Sequence, residues 1–113
     1  MIRYLEPLYV TEKSSEKVDE MKRKIKWGAG MIGLYLITLS SNENDVFDIF
    51  SVVMMKQRSF RHRDLDVIGV AEDQEAAFML VQRIHEEYYA VCHSYSGIRD
   101  ALSERLCEQE KKG

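Results

Sequence analysis

Five side chains of this 113-residue chain have the chemistry of transition-metal ligands: His62, His85, Cys92, His93 and Cys107. A zinc site needs several such groups converging on one point. His85 and Cys92 lie seven residues apart, two helical turns or about 11 Å along the axis, too far to share one ion. Cys92 and His93 are neighbours that point in different directions, and the i, i+4 partner of His85 is Tyr89, a rare ligand. No metal and no cofactor is expected. A cysteine or serine nucleophile needs a base beside it, and no spacing supplies one. Cys92 ends an apolar stripe and reads as a buried, inert thiol. Ser40 and Ser41 lack a Gly-x-Ser-x-Gly elbow and read as turn residues. Among the carboxylates, Glu86 and Glu87 diverge by about 100° on a helix and make no acid/base pair. Asp64 and Asp66 share one face of a strand, ~7 Å apart. That spacing suits either a hard cation or an edge-protecting charge pair, but no third ligand is nearby. The expectation is no catalytic residue and no enzymatic chemistry.

Two basic clusters bear on a different chemistry. Lys22, Arg23, Lys24 and Lys26 precede Trp27, while Arg58, Arg61 and Arg63 surround Phe60 and His62. Brought onto one surface, they would form a nucleic-acid footprint with stacking rings. The first cluster also suits a helix C-terminus, whose dipole favours cations, and the second suits a charged connection. A net charge of −3 counts against nucleic acid and anionic membranes as partners.

The elements that must carry these residues are best anchored at Ala71-Glu72-Asp73. Before it, Leu65, Val67, Ile68, Val70 and Ala71 form a β-type run. After it, Ala77, Leu80, Val81, Ile84, Tyr88 and Val91 recur at helical spacing. A join of this shape often carries a glycine-rich phosphate loop. Here its two acids cap the helix and close it to phosphate.

Elsewhere, Leu8–Thr11 reads as a strand, with Pro7 suiting a strand start or a sheet edge. Ser15–Trp27 reads as a helix capped by Ser14 or Ser15, its acids early and its bases late. Val18, Met21 and Ile25 share one face of it. Leu34–Leu39 is apolar on both faces, as in a central strand. The segment 46–56 is open between two readings. Its β-branched and aromatic content favours a strand over Val46–Val53 in a hairpin, while Asn44 or Asp45 could cap a helix with Phe47, Phe50 and Met54 on one face. Met54–Arg63 is expected to hold an irregular or helical turn. Ile98, Ala101, Leu102 and Leu106 mark a last amphipathic helix. The sum is one α+β domain over residues 1–107, with a charged, frayed end at 108–113. Its order is β-α-β-β-β-α-α, a mostly antiparallel sheet of three to four strands covered mainly on one face.

The run Leu34–Asn42, followed by Val67-Ile68-Gly69-Val70-Ala71 and an alanine-rich helix start, resembles small proteins of Clostridia-type bacteria. The likeness spans about two thirds of the chain. It implies no activity and transfers no site residue, because that group has none assigned.

Glu6 and Pro7 interrupt any apolar leader, so no signal peptide is expected. The longest apolar run, Met31–Leu39, is about half the ~20 residues that a membrane helix needs. Cys92 and Cys107 then read as free thiols of a cytoplasmic protein. Phe78, Met79 and Tyr89 fall off the main stripe of the long helix and form a candidate self-association surface. The expected function is a non-enzymatic interaction or regulatory module acting as a homodimer. The alternatives are a nucleic-acid-associated protein using 22–26 and 58–63, or a small enzyme or ligand-binding domain with a helix–sheet pocket.

Overall fold

The computed structural model describes residues 2–26, 34–40, 46–56, 64–92 and 97–112. The elements are β1 (Ile2–Val10), α1 (Glu12–Ser15), α2 (Val18–Lys26), β2 (Tyr35–Leu39), β3 (Phe47–Ser51), a 3-10 helix (Val52–Lys56), β4 (Leu65–Ala71), α3 (Gln74–Cys92) and α4 (Ile98–Lys112). This is an α+β fold with the expected order of elements. The four strands form one mixed sheet ordered β1-β4-β2-β3. β2 pairs antiparallel with both β3 and β4, while β1 and β4 run parallel. Pairing of the first strand with the last puts the carboxyl ends of β1 and β4 side by side.

The long helices share one face of the sheet. Ala77, Leu80 and Ile84 of α3, with Ile98, Leu102 and Leu106 of α4, bury against Leu5, Ile37, Ile68 and Ala71. On the other face Met21 of α2 and Val52 of the 3-10 helix pack on Leu36, Leu65, Val67 and Val70. β4 is therefore apolar on both sides, as a central strand must be.

Alternation in β4 breaks at a bulge. Ile37 faces Gly69, but Thr38 faces Val67, so Ile68 is an extra residue on β4. Ile68 and Gly69 consequently both look toward α3. A Cβ on Gly69 would lie 2.9 Å from the Tyr9 carbonyl oxygen and 3.3 Å from Leu80 Cδ2. Only glycine permits this approach of β1 and α3 to the middle of β4.

Several local expectations are corrected. β1 begins at Ile2 rather than Leu8, and Pro7 falls inside it, where the register with β4 shifts between Tyr4 and Tyr9. An edge strand tolerates proline there because the ladder is already interrupted. The helix expected over Ser15–Trp27 is two pieces. Thr11 is the N-cap of a single turn, its Oγ1 accepting the Ser14 amide while Ser14 Oγ accepts the Thr11 amide. Ser14, fully buried, also donates to the Val70 carbonyl at 3.0 Å, which pins that turn to β4 before α2 begins. In 46–56 the strand ends at Ser51 and the 3-10 helix follows. At the C-terminus α4 runs through Lys112. Gln109 and Glu110 hold it to β1 through Tyr4, Glu6 and Arg3.

Candidate functional site

The surface that the sheet leaves to α3 is decided by helix geometry. At about 100° per residue, Ala77, Leu80, Ile84 and Tyr88 face the sheet. Phe78, Gln82, His85 and Tyr89 fall within about 60° of one another on the shoulder toward β3. Phe78 is 57% exposed and Tyr89 44%. His85 sits between them, half-buried, with its ring edge-on to Phe47 of β3 at 5.4 Å. Phe78, Val81, Gln82, His85 and Glu86 line a shallow depression of about 450 Å³ along this shoulder.

The opposite shoulder faces β1. Met79, 67% exposed, lines a groove of about 530 Å³ with Ala76, Leu80, Gln82, Arg83 and Glu86 of α3, and with Thr11 and Glu72 across from them. The structure thus divides the three expected self-association residues. Phe78 and Tyr89 share the β3 shoulder, and Met79 belongs to the β1 groove. Val91, expected on the buried stripe, is 78% exposed.

The Ala71-Glu72-Asp73 join positions the groove. Asp73 Oδ1 accepts the Ala76 amide at 2.7 Å and caps α3. Glu72 does not share that role. Its Oε2 accepts the Thr11 hydroxyl, tying the end of β4 to the start of α1. Beside the groove, the Tyr9 hydroxyl donates to Glu87 at 2.8 Å, and Arg83 pairs with Glu87 at 3.5 Å while lying over the Tyr9 ring. Burial and the bond to Glu87 push the Tyr9 pKa up to about 12.

The remaining candidates do not converge. Both oxygens of Asp66 are taken by Arg3, at 2.7 Å from Nε and 3.0 Å from Nη2, which replaces the hard-cation reading. Asp64 and Asp66 line a polar cleft of about 230 Å³ with Arg99, Asp100 and Ser103. His85 lines a different cavity, and the Tyr88 hydroxyl accepts from Arg105. Cys107 is exposed on α4. The described residues hold no group of three His, Cys, Asp or Glu side chains suited to a metal ion. His62, His93 and Ser41 lie outside the described residues, as does the side chain of Cys92.

Of the basic clusters, Lys22 is half-buried with its ammonium 4.7 Å from the centre of the Tyr4 ring, and Arg23 is exposed. Lys24 and Lys26 belong to α2, but their side chains lie outside the description, as do Arg58, Arg61 and Arg63. No described helix is long and apolar enough to cross a membrane.

Sequence reasoning found the exposed residues of α3 and missed the groove. Its walls come from residues about 60 positions apart, and the only local signal was the pair of acids after β4. No protein family, curated protein or solved structure matches this chain.

Proposed function

We propose that this chain is a non-enzymatic interaction module that forms a homodimer through the β3-facing shoulder of α3. The observation that carries the reading is the position of Phe78 and Tyr89, exposed at the two ends of one helical strip. Such a strip is self-complementary. In an antiparallel pair of α3 helices centred between Gln82 and His85, Phe78 meets Tyr89 of the partner subunit twice. A two-fold contact uses the same patch on both copies, and aromatic pairs contribute beyond their buried area. The other edge of the sheet supports the choice of side, since β1 is occupied by α4 through Gln109.

Sedimentation velocity across a wide concentration range tests this. The wild-type chain is expected to dimerise, and Phe78→Glu and Tyr89→Glu each to give monomers. Combining Phe78→Glu with Tyr89→Arg is expected to restore the dimer, because the opposed positions then carry opposite charges. A wild-type chain that remains monomeric at high concentration removes the reading.

A further inference from the structure

We draw no further inference here: the strongest candidate, the polar cleft of about 230 Å³ between the start of α4, the carboxyl end of β2 and the amino end of β4, is a cluster of acidic side chains with no second feature that points to a ligand, since Arg3 takes both oxygens of Asp66 and strand alternation turns the buried Thr38 hydroxyl toward the opposite face of the sheet.

Discussion

Gln109 stands in for a neighbouring strand at Glu6. Its Oε1 accepts the Glu6 amide at 2.7 Å, and its Nε2 donates to the carbonyl of Tyr4 at 3.0 Å. Residues two apart in a strand direct their backbone groups to the same side. One carboxamide can therefore satisfy both, as a peptide unit of a paired strand would. It does so where β1 has left its ladder with β4. Replacement by alanine is expected to destabilise the fold by about 0.5–1.5 kcal/mol, a modest figure because water reaches the Glu6 amide. Urea denaturation measures this, and Gln109→Glu should recover little, since a carboxylate has nothing to donate to Tyr4.

The Tyr9–Glu87 bond predicts a loss of stability in alkali. The Tyr9 pKa is about 12 in the fold against an ordinary 10. The folded chain therefore keeps its proton where the unfolded chain has released it. Stability from this group is fully present below pH 10 and is lost as pH rises from 10 to 12. Burial also raises the Tyr4 pKa and adds to the same slope. Thermal melts of Tyr9→Phe should show lower stability at neutral pH, by about 0.5–1.5 kcal/mol, and a shallower decline between pH 10 and 12. An unchanged slope would show that the hydroxyl is solvated.

Gly69 should tolerate no side chain. A methyl group there meets the Tyr9 carbonyl oxygen at 2.9 Å, and that oxygen belongs to a strand rather than to a flexible side chain. Gly69→Ala is expected to cost about 1–3 kcal/mol, as overpacking does elsewhere. The midpoint of urea unfolding reports it, and Gly69→Val should be worse.

Thr38 offers the opposite outcome. Its hydroxyl is buried with no hydrogen-bond partner among the described residues, on a residue only 1% exposed. Thr38→Val keeps the branched shape and removes the unsatisfied oxygen. An increase in stability of about 1 kcal/mol is expected by urea denaturation. A decrease would mean that the hydroxyl is satisfied in solution.

Local chemistry wrote much of the fold into the chain. The change from β-type to helical spacing at Ala71–Gln74 placed β4, the Asp73 cap and the inward residues Ala77, Leu80, Ile84 and Tyr88, because each depends only on neighbours within a few positions. The exposure of Phe78, Met79 and Tyr89 followed from the same periodicity. Tertiary structure decided what periodicity does not encode. Pairing of β1 with β4 joins residues 60 or more apart, and with it come the need for glycine at 69 and the Arg3–Asp66 pair, while pairing of β2 with β4 brings the bulge at Ile68. Val91 has the spacing of the buried stripe, yet it is 78% exposed. The groove exists because Thr11 and Glu72 close the carboxyl ends of two parallel strands against one helix, and which strands lie side by side depends on packing across the whole chain.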